Sequence, residues 1–290
     1  MSVLRMFAAI LPPPARNLAE RRLGQWRLWR DHRSLLNEAP ESCDAGQLGR
    51  VDKAWLARAL TSAAVDAEWP AVEEEIGKFQ ITTSAGGVNP GDRRALYYVI
   101  RALRPGRVLE VGTHIGASTV HVAAAVRANA GDGGPAPDVT TVDIEDVNDP
   151  VTRPWIGNGS RHSPADMIAQ MGMPNGVRFV AQPSLAYLSV PGENFDLIFL
   201  DGDHSAATVY RELPAALRRL RPGGLVLLHD YFPGGEPLWP GNPVIPGPWL
   251  AVNRLRREGA GLEVIPLAEL PWPTKLGSKV TSLALVSRST

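Results

Sequence analysis

The stretch that decides the fold is Phe195-Asp-Leu-Ile-Phe-Leu-Asp-Gly-Asp-His204, read together with Val108-Leu-Glu-Val-Gly-Thr-His-Ile-Gly-Ala-Ser118. Each is an apolar run of strand length that breaks off into acidic residues and glycines. Runs of this kind are buried on both faces in a parallel sheet. Ligands of such sheets gather just beyond the carboxyl ends of the strands. Two such ends carrying carboxylates, glycines and a histidine predict the floor of one active site, and so an enzyme.

Working outward, strands and helices alternate. Strands are expected at 108–111, 139–143, 177–180, 197–200 and 225–228, with a helix at 118–129 and another from about 205 to 220, where Pro214 is expected to split it or begin its second half. Asp92 is expected to cap a helix running to about Leu103 after a loop at 84–91. Leu103-Arg-Pro-Gly106 and Leu220-Arg-Pro-Gly223 read as the same stop between a helix and a strand. A strand pair at 262–265 and 282–286 closes the chain. This alternation argues for a doubly wound α/β sheet with an antiparallel edge. Residues 1–83 read as a helical extension, in which Leu18, Leu23, Trp26, Trp29 and Leu35, then Trp55, Leu56, Leu60 and Ala64, form apolar stripes best explained as core. Residues 84–290 form the main domain.

The 290 residues balance 30 Lys+Arg against 30 Asp+Glu, which gives no electrostatic case for nucleic acid or an anionic membrane. Arg16, Arg21, Arg22, Arg27, Arg30 and Arg33 read as a solvated helix face. The single cysteine, Cys43, excludes an internal disulfide framework and suits the cytoplasm. No run reaches the roughly 20 apolar residues of a bilayer span. Residues 1–11 read as a packing or dimer-contact segment, because they meet Pro12-Pro13-Pro14 without a cleavage pattern.

The first glycine loop, Glu110-Val-Gly112-Thr-His-Ile-Gly116, is not the Gly-x-Gly-x-x-Gly of a dinucleotide site. His114 stands where the second glycine would admit a pyrophosphate. The loop suits a cationic amine near a carboxylate, with Asp143 at the next strand end placed to take two ribose hydroxyls.

These residues, with the 195–204 stretch and Leu220-Arg-Pro-Gly-Gly-Leu-Val-Leu-Leu-His-Asp230, resemble the motifs of class I S-adenosylmethionine-dependent methyltransferases. The resemblance covers about 84–290 and is nearest to the macrocin, mycinamicin and cephalosporin-hydroxylase-associated O-methyltransferase branch. It implies a mostly parallel, seven-stranded Rossmann-like sheet with an antiparallel C-terminal strand. It also implies S-adenosylmethionine contacts from Glu110, Gly112, Thr113, Gly116, Ser118, Asp143, Gln182, Ser184 and Asp201. A helix cap is the competing reading for Ser184.

Methyl transfer to a hydroxyl needs orientation and a base or Lewis acid. The resemblance places a divalent metal, Mg2+ in the relatives, at Asp201 and Asp230. His229 departs from that pattern, since Mg2+ prefers oxygen ligands and imidazole suits softer ions. Three readings stay open: Mg2+ on Asp201, Asp230 and water; a softer ion such as Mn2+ or Fe2+ that includes His229; or no metal, with His229 hydrogen-bonded to a carboxylate. His204 matches the catalytic histidine of mycinamicin-type enzymes and Asp203 the aspartate base of other relatives. His204 is preferred because it titrates near neutrality without tuning.

The irregular segments 151–164 and 231–242 are expected to face the acceptor, with Trp155, Tyr231 and Trp239 as stacking surfaces and His162 as a polar contact. The reading is an O-methyltransferase acting on a small-molecule hydroxyl, a sugar or secondary metabolite. No nucleic-acid or integral membrane contact is expected, and the N-terminal helices suggest a homodimer. The competing functions are a non-transferring S-adenosylmethionine-binding scaffold and an NAD(P)-dependent oxidoreductase.

Overall fold

A computed structural model describes residues 13–81, 87–239, 244–275 and 277–289; for residues 13–21 and Leu23 it describes the backbone only. The expectations for residues 1–11, for the side chains of Arg16, Leu18, Arg21 and Leu23, and for the boundary between residues 83 and 84 lie outside it.

Seven strands form one sheet: β1 (Val108–Val111), β2 (Val139–Asp143), β3 (Val177–Ala181), β4 (Phe195–Leu200), β5 (Leu220–Leu228), β6 (Leu262–Pro266) and β7 (Ala284–Arg288). Their order is β3-β2-β1-β4-β5-β7-β6. The first five pair in parallel, and β7 runs antiparallel to both β5 and β6. The order reverses between β1 and β4, so the crevice at those two strand tips is the topological switch point where such sheets take ligands.

Alternation along the strands divides the core in two. Val108, Leu197, Phe199, Leu225 and Leu227 face one layer, with α4 (Pro90–Leu103) and α5 (Thr119–Gly131) over them. Leu109, Val111, Ile198, Leu200, Val226 and Leu228 face the other, with α9 (Ala206–Leu217) and α10 (Gly247–Arg257). The N-terminal helices serve both layers. Helix α1 (Pro13–Leu36) packs on α9 and α10, while α2 (Lys53–Leu60) packs on α4 and α3 (Ala63–Gly77) on α5. The link between α1 and α2 crosses the sheet, where the Gly49 N–H donates to Gly224 O and the Arg288 N–H to Gly49 O. Short helices α6 (Pro154–Gly157), α7 (Pro164–Gln170) and α8 (Ser184–Ser189) fill the connections around β3.

Several expectations are corrected. Trp26 and Trp29 are 50% and 56% exposed, because α1 turns Asp31 and Leu35 inward instead; Arg30 and Arg33 lie over the two indoles. Ala64 is exposed beside the buried Val65. The cap of α4 is Asn89, whose side chain accepts from the Asp92 N–H, which leaves the Asp92 carboxylate for another partner. Pro214 sits inside an unbroken α9, and the Arg218 N–H closes back on Pro214 O. Leu220 to Gly223 lie within β5. The pairing with β4 slips between Phe195 and Leu197, and a register irregularity is where a strand tolerates proline and glycine. Helix α10 was not expected, because its start is rich in proline; proline in the first turn fits a helix N-terminus.

Candidate active site

The site forms at the tips of β1, β4 and β5. Gly112 follows β1 with φ of 97°, and a Cβ there would stand 2.2 Å from the Asp201 carbonyl oxygen. Glycine is therefore required for the β1 and β4 tips to close on each other. Gly116, at φ 75°, leaves room for Pro164, which a Cβ would meet at 2.9 Å. Both glycines are explained by protein neighbours.

Glu110 is fully buried. Its Oε2 accepts from Thr119 Oγ1 at 2.5 Å and Thr141 Oγ1 at 2.7 Å, while Oε1 has no hydrogen-bond partner among the described residues. Burial pushes its carboxyl up to about 7, against the lowering effect of Ser118, Thr119 and Thr141. Thr113 and Ser118 are buried in the same network, and Thr113 Oγ1 lies 2.6 Å from Thr141 Oγ1. Asp143 ends β2 half-buried. Its Oδ2 accepts from the His114 N–H at 2.8 Å and its Oδ1 from the Glu145 N–H at 3.2 Å. Neither bond uses all the lone pairs of its oxygen. The Gln182 N–H donates to Asp143 O, which sets β3 beside it. The Ser184 hydroxyl donates to Glu212 and caps no helix. Burial raises the Glu212 carboxyl to about 7.

Across the crevice, β4 and β5 bring Asp201, His204, His229 and Asp230 together. His229 Nδ1 is 2.7 Å from Asp201 Oδ1 and 3.7 Å from Asp230 Oδ1. His204 Nε2 is 3.6 Å from both Asp201 Oδ1 and Asp230 Oδ2. Asp230 adopts φ 53°, a left-handed conformation that aspartate tolerates better than most residues, and accepts from Ser282 Oγ at 3.1 Å. Burial alone would lower the His229 pKa, but the Asp201 and Asp230 charges raise it well above the ordinary value. Burial likewise opposes ionisation of Asp230, which the charges of His229 and His204 overcome, holding its pKa low.

Asp203 turns away from this cluster. Its carboxylate accepts from the Ser205 N–H, Ser205 Oγ and Thr208 Oγ1 at the start of α9, bonds that hold its pKa low despite burial. A carboxylate so engaged is a weak base, which leaves His204 as the group facing the cluster.

Asp92 was missed as a site residue. Only 1% exposed, it accepts from Asn89 Nδ2 at 2.6 Å, and its Oδ2 lies 3.2 Å from His229 Nε2. Nothing in the sequence pairs residues 137 positions apart. On the acceptor side, Trp155 and Tyr231 are buried as anchors rather than stacking surfaces. His162 contacts Gln170 and the Phe79 ring edge, Trp239 is half-buried, and Asn242 lies outside the described residues. A groove of about 620 Å3 runs between α1 and α10, walled by Leu28, Trp29, Trp249 and Leu250. Its lining also includes His32 and Arg257 and, among the described residues, no carboxylate. Pro248, adjoining Trp249, borders the cleft of His204 and His229.

Residues 109–231 match the family model described as a methyltransferase domain. Two relatives carry the description "putative O-methyltransferase". One, from Mycobacterium sp. (strain JLS), is 28% identical over 193 residues, 66% of this chain and 77% of its own. The other, a crystal structure from Klebsiella pneumoniae, is 21% identical with a TM-score of 0.51, covering 82% of this chain and 96% of its own. The SAH-bound Podospora anserina methyltransferase PaMTH1 superposes with a TM-score of 0.51 at 15% identity, over 84% of this chain and all of its own. The structural matches establish the Rossmann-like methyltransferase fold. Among the described residues no helix is long and apolar enough to cross a membrane. The matched segment, similar to a methyltransferase domain, contains the tips of β1, β4 and β5.

Proposed function

We propose that the protein is an S-adenosylmethionine-dependent O-methyltransferase acting on a small-molecule hydroxyl. The observation that carries this reading is the division of the switch-point crevice: a half-buried Asp143 on the β2 side, and His204 among carboxylates on the β4–β5 side. A ribose needs an acceptor pair like the first, and a hydroxyl nucleophile needs a base like the second.

The residues present fit the cofactor. Asp143 keeps acceptor capacity at the rim for ribose hydroxyls. Ile144 beside it is exposed, an apolar surface suited to a purine face. The unpartnered Oε1 of Glu110 offers an acceptor toward the methionine amine. Gln182 and Ser184 border the adenine side, Ser184 with its hydroxyl already engaged. When bound, S-adenosylmethionine would supply a sulfonium methyl carbon for the acceptor oxygen to attack, with S-adenosylhomocysteine as the leaving group. His204 Nε2 takes the hydroxyl proton. The carboxylates of Asp201 and Asp230 stabilise the imidazolium that results.

A divalent ion also fits. Asp201, His204 and His229 bring one donor atom each within 4.8 Å of one another, and Asp230 adjoins them. Asp201, His229 and Asp230 would hold the ion, which would lower the pKa of an acceptor hydroxyl. The groove of about 620 Å3 next to Pro248 falls in the size range of small-molecule sites and supports an acceptor with an apolar or aromatic body.

His204→Ala is expected to lower turnover by roughly 100-fold or more, with S-adenosylhomocysteine affinity within about twofold of wild type. Turnover near wild type would remove His204 from the role.

A further inference from the structure

We propose that the strand-tip site takes a transition-metal dication of the Mn2+, Fe2+, Co2+ or Zn2+ kind in preference to Mg2+, and that Asp92 confers that preference by fixing the His229 imidazole. The inference deepens the metal-assisted part of the proposed function and rests on it.

Three observations carry it. The first is the tautomer. Asp92 is a carboxylate and can only accept, so the hydrogen between it and His229 sits on Nε2. Nδ1 then faces Asp201 and Asp230, where a metal ion would displace the proton that the two carboxylates otherwise hold on it. A metal-ligating histidine whose second nitrogen donates to a buried carboxylate is the recurring outer-sphere arrangement of transition-metal sites.

The second is Nδ1 itself. His229 is 9% exposed, and Nδ1 has no aligned hydrogen-bond partner although Asp201 Oδ1 is 2.7 Å away. The two atoms stand close enough to share one cation, a proton or a metal ion. Neighbouring ligands on bonds of about 2.1 Å stand roughly 3.0–3.4 Å apart. The contacts of His229 Nδ1 with Asp201 and Asp230, at 2.7 and 3.7 Å, bracket that separation.

The third is charge. Arg93 adjoins Asp92 and acts on it, while Lys275 acts on Asp230 from the β6–β7 connection. Asp201 and Asp230 nonetheless face one centre from two strands, which suits a dication. An oxygen-only site would suit Mg2+; a pre-aligned imidazole nitrogen does not.

The test is calorimetric titration of the chelator-treated full chain with Mn2+, Co2+ and Mg2+ separately, with S-adenosylhomocysteine titrated into the same samples. Co2+ absorption reports whether nitrogen enters the coordination sphere. One Mn2+ or Co2+ is expected per chain, bound at least ten times more tightly than Mg2+. Asp92→Asn is expected to weaken Mn2+ and Co2+ by about 10–100-fold and leave Mg2+ unchanged. His229→Asp is expected to erase the preference and shift the Co2+ spectrum. Mg2+ binding as tightly as Mn2+, or no ion binding to folded wild type, would overturn the proposal. In the second case protonated His229 serves as the cation. S-adenosylhomocysteine binding without metal sinks this inference alone, whereas metal binding without S-adenosylhomocysteine sinks the cofactor reading instead.

Discussion

Glu110 and Glu212 show how the burial of single residues sets a pH response. Each carboxyl is raised from 4.5 to about 7, chiefly by burial. The folded chain therefore holds more protons than the unfolded chain across that interval, and both groups withdraw stability as the pH rises from about 4.5 to about 7. His121 acts in the opposite direction: burial lowers it to about 3, so it adds stability as the pH rises from about 3 to about 6.5. The variant Glu212→Gln separates these effects. Relative to wild type it is expected to gain on the order of 2 kcal/mol between pH 4.5 and 7.5, read from urea midpoints. A constant difference across that range would mean that Glu212 is not protonated in the folded protein near neutrality. At this scale the sequence exposed the strand-tip residues well, because Asp201, His204, His229 and Asp230 each end or follow an apolar run. It hid Asp92, which reads as a helix cap until Asn89 takes that role, and Glu212, which reads as an ordinary residue of α9.

Among the elements, the β1 and β4 tips depend on the absence of a side chain at residue 112. Gly112→Ala would combine an unfavourable positive φ with a Cβ 2.2 Å from a backbone oxygen, and backbone cannot swing aside as a side chain can. A loss above about 2 kcal/mol is expected in chemical denaturation, from strain and overpacking together. Gly172→Ala is the control: φ is 75° and nothing lies within 4 Å, so the cost should be nearer 1 kcal/mol. Equal costs would show that the close approach does not matter. The strands were legible because each central one is an apolar run with an abrupt end. The helices were less so. Pro214 reads as a split or a second start and 247–257 has no helical reading, yet the packing of α9 against α10 and the sheet holds both helices. Trp26 and Trp29 keep helical spacing, but spacing does not say which edge of α1 turns inward.

Across the whole molecule, the alternating segments already carry the doubly wound sheet and its antiparallel C-terminal edge, whereas the strand order and the switch point between β1 and β4 emerge only in the folded sheet. So do the contacts that join distant parts. The Asp92–His229 contact and the strap of residues 47–51 across β5 and β7 arise only when the sheet closes, since neither has a local signature. The groove between α1 and α10 is of this kind too. If the acceptor lies there, Trp249→Ala should raise KM for it about tenfold or more with kcat little changed, the mark of lost uniform binding. A fall in kcat alone would place the acceptor elsewhere. All of these roles depend on a nucleoside seated over the β1 and β2 tips. The most direct test is calorimetric titration of wild type and Asp143→Ala with S-adenosylhomocysteine. One site per chain is expected, weakened about tenfold or more by the substitution as its charged-acceptor hydrogen bonds are lost. No heat from wild type at millimolar ligand, or equal affinity in the two proteins, would contradict the account.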